Sequence, residues 1–90
     1  MGIIEEAAET AESDFLLYTT TFCPYCVAAK RLLKEKRLTY QEINFDDDPS
    51  TRMAVVDATG HRTVPIVIDI RGEEPVFIGG FNETQSYLRG

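Results

Sequence analysis

The sequence predicts an α/β fold: a four-stranded mixed sheet flanked by helices, in the order β-α-β-α-β-β-α. Three observations lead there. Short aromatic and β-branched runs alternate with stripes of helical spacing from Phe15 to Gly60. Pro24 and Pro49 stand where helices would begin, a position at which a missing N–H costs nothing. Two strand-like runs then flank the turn-forming Arg71-Gly-Glu-Glu74. The first two β-α-β steps require helical crossovers, and the last two strands form a hairpin.

Phe15-Leu-Leu-Tyr-Thr-Thr20 suits a strand buried on both faces, with Thr21 and Phe22 in the turn after it. From Pro24, an apolar stripe of Val27, Ala28, Leu32 and Leu33 predicts a helix. Lys30, Arg31, Lys34, Lys36 and Arg37 crowd toward its C-terminal end, where cations complement the helix dipole. Leu38 to Phe45 reads as the second strand, with Ile43 and Phe45 on one face. Asp48 as N-cap and Pro49 at the first position open a second helix carrying Met53, Val55 and Val56, which Gly60 ends. The adjacent Asp46, Asp47 and Asp48 are explained by cap and first-turn chemistry, and no metal site is assigned to them. Ile66 to Ile70 is the third strand. Pro75 to Ile78 is its hairpin partner, with Pro75 at a first or edge position. After Gly79-Gly80, Asn82 or Thr84 caps a last short helix reaching Leu88.

Hydrophobic residues make up 43% of the chain, enough for one core in a domain of this length and with no room for a second domain. Of the 15 acids, five (Glu5, Glu6, Glu9, Glu12, Asp14) fall in the first fourteen residues, which contain no base. Residues 1–14 therefore read as a flexible, solvated acidic tail and residues 15–90 as the domain. The remaining ten acids face 9 bases, so the domain is nearly neutral and offers no electrostatic case for nucleic acid. No apolar run approaches the ~18 residues of a membrane span. Met1-Gly-Ile-Ile-Glu-Glu lacks the basic and apolar regions of a signal peptide. A reducing, cytoplasmic location is expected, with no membrane partner.

The chain's two cysteines stand three apart in Cys23-Pro24-Tyr25-Cys26, between a strand and a helix, the layout of a redox dithiol. A thiolate attacks disulfides, and a cysteine at a helix N-terminus is brought toward that form by unpaired N–H groups. Cys23 is so placed. Cys26, nearly one helical turn on, is the more buried resolving thiol. Zinc usually takes four protein ligands, and His61 is the chain's only histidine, so one copy cannot close such a site.

With Thr63-Val64-Pro65 and Gly79-Gly80-Phe81-Asn82 downstream in the same order, the sequence resembles the dithiol glutaredoxins over residues 15 to 89. The resemblance implies the thioredoxin fold and glutathione as reducing co-substrate, with no permanently bound cofactor. Its partners would be disulfide-containing or glutathionylated proteins, and the protein a monomer. Cys23 would be the nucleophile, Pro65 a cis proline, and Val64 the backbone partner of glutathione's cysteine. Tyr25, Thr63 and Gly80 would line the ligand. The N–H groups at Phe81 and Asn82 would meet the γ-glutamyl carboxylate, Glu83 the ammonium, and His61 or Arg62 the glycine carboxylate. Thr20 departs from the family, which usually has lysine there; Ile66 stands where a polar residue is common; and the last helix is short. Two other functions fit the residues: a redoxin reduced by thioredoxin reductase, donating electrons to ribonucleotide reductase, and a glutathione-ligated iron–sulfur cluster carrier.

Overall fold

Phe15–Thr19 has no polar side chain before its last two positions, and it becomes β1, with all five residues fully buried. The structure is a computed structural model and describes residues 2–89. Met1 and Gly90, the outer ends of the expected tail and domain, lie outside the described residues. Around β1 the chain lays down α1 (Gly2–Thr10), α2 (Pro24–Glu35), β2 (Tyr40–Asn44), α3 (Pro49–Thr59), β3 (Ile66–Asp69), β4 (Val76–Gly79) and α4 (Phe81–Arg89). The strand order is β2-β1-β3-β4. β1 runs parallel to β2 and antiparallel to β3, and β3 is antiparallel to β4, giving the expected mixed sheet.

Alternate residues of β1 feed two cores, as the strand period requires. Leu16 and Tyr18 join Phe45, Val55, Ile66 and Ile68 under α1 and α3. Phe15 and Leu17 join Ala29, Leu33 and Val67 under α2 and α4. Helices thus cover both faces of the sheet, in three layers. Tyr18 stacks on Phe45 at 5.3 Å between ring centroids, and burial pushes its phenol up to about 12.

The first fourteen residues are not a solvated tail. Ile4 is 2% exposed within the first core, and Ile3, Ala7 and Ala11 pack beside it. These positions fall on one side of α1, which lies against α3, while Glu5, Glu6, Glu9 and Glu12 face water. Asp14 belongs to the domain as well. Its carboxylate accepts from Thr39 N at 3.0 Å while its own N–H donates to Thr39 Oγ1 at 3.0 Å, joining the starts of β1 and β2.

Two helical faces also differ from expectation. In α2 the buried side is Cys26, Ala29 and Leu33, and Val27 is turned out at 52% exposure. Apolar residues in adjacent pairs left the phase of the stripe open; the start at Pro24, with Cys23 as N-cap, sets it. In α3 only Val55 is buried, and Met53 lies on the solvent side. Gly60 ends that helix in the left-handed region (φ 73°), its N–H donating to Val56 O at 2.7 Å. Asp48 holds the N-cap position, yet its carboxylate accepts from the hydroxyls of Ser50 and Thr51 instead of from a helix N–H.

At the far end of β3, Asp69 accepts from Arg71 Nε at 3.0 Å, Arg71 Nη2 at 2.8 Å and Tyr87 Oη at 2.7 Å. The Arg71 hydrogen bonds outweigh the opposing effect of burial and hold the Asp69 carboxyl at about 2, against an ordinary 3.8. Its side chain is only 9% exposed, so solvent screens little of this.

Two expectations follow from this packing. A carboxyl with a depressed folded pKa contributes stability above its ordinary value and loses it as pH falls toward about 2. Asp69→Asn should cost about 2 kcal/mol in urea unfolding at neutral pH. The gap to wild type should close as the pH approaches 2. Ile4→Ala should cost about 2 kcal/mol or more in the same measurement, whereas an undocked tail would show no change.

Candidate active site

Topology brings the three sequence motifs to one edge of the sheet. β1 ends at Thr19 and hands the chain to Cys23; β3, antiparallel to it, begins at Ile66 opposite Tyr18, so Val64 and Pro65 arrive at that same edge. β4 runs back toward it and ends at Gly79, opposite Val67. The dithiol, the proline loop and the glycine pair therefore meet without any long excursion of the chain.

Cys23 is the N-cap of α2, and its Sγ accepts a hydrogen bond from Cys26 N at 3.1 Å. The two cysteines are joined as a disulfide, with Cα atoms 5.1 Å apart. Cys23 is 8% exposed and Cys26 1%. The ordering of the two sulfurs is as expected, although Cys23 is itself largely covered. Across from it the Val64–Pro65 bond is cis, and the Val64 carbonyl oxygen lies 3.7 Å from Cys23 Sγ.

The loop ahead of Cys23 is pinned from the end of β2. Thr21 N donates to Asp46 Oδ2 at 2.7 Å, and Asp46 N donates to Asn44 Oδ1 at 2.8 Å. The Thr21 backbone hydrogen bond, above all, holds the Asp46 carboxyl below its usual range. The sequence groups Asp46 with Asp47 and Asp48 under the cap and first-turn chemistry of the helix that Asp48 opens. The signal that it does something else was topological: parallel strands end side by side, so the residues after β1 and β2 are neighbours. Just behind, Thr19 Oγ1 donates to Glu42 Oε2 at 2.7 Å, and Lys30 Nζ sits 2.8 Å from the same oxygen. Burial raises the Glu42 carboxyl, but these contacts with Lys30 and Thr19 outweigh it and leave the group lowered.

Beside the dithiol runs a cleft of about 510 Å³ lined by Tyr25, His61, Thr63, Val64, Pro65, Gly80, Phe81, Asn82 and Glu83. Every non-cysteine residue expected at the site is here except Arg62. That side chain lines a separate groove on α3 with Pro49, Arg52, Met53 and Val56, because neighbouring residues of an extended loop point apart. Tyr25 and Phe81 form one wall, their ring centroids 6.2 Å apart. His61 Nε2 lies 3.1 Å from Thr63 Oγ1, and its ring meets Phe77 edge-on at 5.6 Å. Phe77, and Phe22 just before Cys23 at 95% exposure, were given no site role in the sequence because a single aromatic gives no pattern.

The last helix starts at Phe81 and is capped neither by Asn82 nor by Thr84. Glu83, its third residue, turns back so that Oε1 accepts from Gly80 N at 2.8 Å, half of a capping box. Thr84 Oγ1 donates to Gly80 O at 2.8 Å and is fully buried. This geometry explains the glycine pair. Gly79 has φ +133°, and a Cβ there would stand 2.9 Å from Glu83 Cγ.

A family model for glutaredoxins matches residues 15–74, two thirds of the chain. This chain belongs to the glutaredoxin family. The chloroplastic glutaredoxin C4 of rice (Oryza sativa subsp. japonica) is 35% identical over 91 residues, covering 97% of this chain and 65% of that protein. A glutaredoxin of Pseudomonas aeruginosa is 44% identical over 50 residues, 56% of this chain and 60% of that one. The matches thus span less than two thirds of these two relatives. Among solved structures, a buckwheat glutaredoxin–glutathione complex superposes with a TM-score of 0.78 at 25% identity, over 96% of this chain and 78% of that one. The thioredoxin-like architecture of this glutaredoxin agrees with that likeness.

The glycine pair yields a test with an internal control. Gly79→Ala should lower stability by about 1–3 kcal/mol in urea unfolding, since an L residue must hold a positive φ against Glu83. Gly72→Ala, whose Cβ would meet nothing within 4 Å, should change it by less than about 0.5 kcal/mol.

Proposed function

We propose that this chain is a glutathione-dependent thiol–disulfide oxidoreductase acting on protein disulfides and on mixed disulfides between proteins and glutathione. The observation that carries the reading is Cys23 Sγ at the N-cap of α2, accepting the Cys26 N–H, at the mouth of a cleft formed by the cis-proline loop and the start of α4. Reduced, that sulfur would sit against amide N–H groups and the positive end of a helix, which favour the thiolate. Membership of the glutaredoxin family, and the likeness to a relative solved with glutathione, support the choice of co-substrate.

The chemistry is two exchanges. With a protein–glutathione mixed disulfide, the Cys23 thiolate attacks the glutathione sulfur, and the protein's sulfur leaves and takes a proton. A second glutathione thiolate then attacks the glutathione sulfur now bonded to Cys23, forming oxidised glutathione and releasing the Cys23 thiolate. With a protein disulfide, Cys23 forms the mixed disulfide, Cys26 displaces the protein, and two glutathiones reduce the resulting Cys23–Cys26 bond. In the cleft, the Val64 backbone is available to pair with the cysteinyl part of glutathione, and the free N–H groups of Phe81 and Asn82 with its γ-glutamyl carboxylate. Glu83 is already committed through one oxygen to Gly80, which leaves the other for the ammonium group.

Activity with glutathione, glutathione reductase and a glutathionylated peptide decides the matter. Cys26→Ser should keep the mixed-disulfide exchange, and Cys23→Ser should abolish it. Equal loss from both would sink the one-thiol assignment. Failure to turn over with glutathione, together with rapid reduction by thioredoxin reductase, would replace this reading with the redoxin alternative.

A further inference from the structure

When Cys23 is joined to a protein partner through a disulfide, that partner needs a surface of its own. The cleft beside the dithiol takes a single residue from α2, Tyr25. The rest of the solvent side of α2 is open, and it leads back to Cys23. Cys23, Val27, Lys30 and Lys34 follow one another at spacings of four, three and four, which puts them on one face of the helix. Val27 N donates to Cys23 O at 3.1 Å, so the row is continuous from the cap onward. Val27, Lys30, Arg31 and Lys34 line a groove of about 260 Å³ along it.

The groove differs in chemistry from the rest of the surface. Lys30, Arg31, Lys34, Lys36 and Arg37 are five of the chain's 9 bases, and Glu35 is the one acid among residues 24–37. Lys30 is engaged with Glu42, while Arg31 and Lys34 are exposed and, among the described residues, in no ion pair. Val27, 52% exposed, gives the groove an apolar end next to the dithiol. Acids lie across the sheet: α1, with Glu5, Glu6, Glu9 and Glu12 facing water, packs on one face and α2 on the other. A chain of net charge −6 thus gathers its cations on the helix that opens at Cys23. Such a separation of charge turns an approaching acidic partner toward α2.

We infer that this face of α2 docks protein substrates, and that it selects those with acidic side chains about three to five residues from the reactive cysteine. Reach sets the spacing. At about 1.5 Å per residue of helix, Lys30 and Arg31 lie about 11 Å from Cys23 and Lys34 about 16 Å, whereas an extended chain covers about 3.3 Å per residue. A segment bonded to Cys23 Sγ and laid along α2 brings its third residue to Arg31 and its fifth to Lys34, and in an extended chain those two share a face. The inference rests on the reading of Cys23 as nucleophile toward protein disulfides and adds the class of substrate.

A single exchange without glutathione tests it. In the reduced Cys26→Ser chain, the Cys23 thiolate attacks the sulfur of a peptide cysteine that carries a thionitrobenzoate group. A Cys23–peptide disulfide forms, thionitrobenzoate leaves with the electron pair, and its absorbance gives the rate. Peptides with Glu, Gln or Lys at the third and fifth positions from the cysteine are compared, with those positions before it in one set and after it in another. In one set the Glu peptide should react roughly fivefold faster than its Gln counterpart at low salt, the range of two exposed ion pairs. In about 1 M salt, where charges are screened within about 3 Å, the difference should vanish. Arg31→Glu together with Lys34→Glu should make the Lys peptide the fastest. The net charge of −6 by itself favours the Lys peptide even with the groove intact, so the sign of the preference separates docking on α2 from the field of the whole molecule. Equal rates for all peptides, a Lys peptide fastest with the groove intact, or a Glu preference kept after the charge reversal would overturn the inference while leaving the glutathione reading to its own assay. No reaction with any peptide would remove Cys23 as the nucleophile, and both readings with it.

Discussion

Complete burial of β1 is the constraint from which the site follows. A strand whose five residues are all inaccessible must be apolar on both faces and paired along both edges, and Phe15–Thr19 is both. A parallel partner on one side and an antiparallel one on the other then fix which strand ends meet. The C-terminal ends of β1 and β2 and the N-terminal end of β3 share an edge, and the hairpin brings the end of β4 to it. At the end of β1, Thr19 is satisfied by Glu42, and Glu42 in turn by Lys30. The hydroxyl of Tyr18, one residue earlier, is buried without a partner, the one polar cost the strand carries among the described residues.

At that edge the protein works with backbone more than with charged side chains. The N-terminus of α2 faces Cys23 Sγ, and the N-terminus of α4 opens into the adjoining cleft. Strong ionic groups lie elsewhere, in the Asp69–Arg71–Tyr87 cluster and the Lys30–Glu42 pair, where they fasten elements together. Amide N–H groups hold their direction without the rotamer entropy of a lysine, and they approach closely only where no Cβ intervenes. Gly79 meets that condition, and the carboxylate of Glu83 uses it to finish the helix start.

How much of this the sequence disclosed depends on whether a signal was local. From β1 onward the order of elements, the helix starts at Pro24 and Pro49 and the stop at Gly60 are each specified by a few adjacent residues and appear as expected, and so does the cis bond before Pro65 that the family resemblance implied. Nine of the ten cleft residues come together, because three short motifs at three strand ends place them. What escaped was rotational or long-range. The phase of α2 turned on its cap, and Arg62 faces away from His61 because an extended loop alternates its side chains. Helix α1 looked like a tail because two isoleucines and two alanines are a thin stripe; only the surface offered by α3 and the sheet makes Ile4 a core residue. Asp46 was read through its neighbours in sequence, but its partner Thr21 is 25 positions away.

The two sulfurs of the dithiol are chemically alike, and what separates them is chain order around a helix start. Cys23 lies before the first turn, so its side chain is free to receive an amide; Cys26 is the third residue of the helix, and its own amide is the one given. Pro24 between them offers no N–H and sets the helical φ at the first position, so the donor that reaches the sulfur belongs to Cys26. The same step places Cys26 on the buried face of α2 with Ala29 and Leu33. One helix start thus does both tasks: it directs an amide at the sulfur nearer the surface and draws its partner into the core within bonding reach.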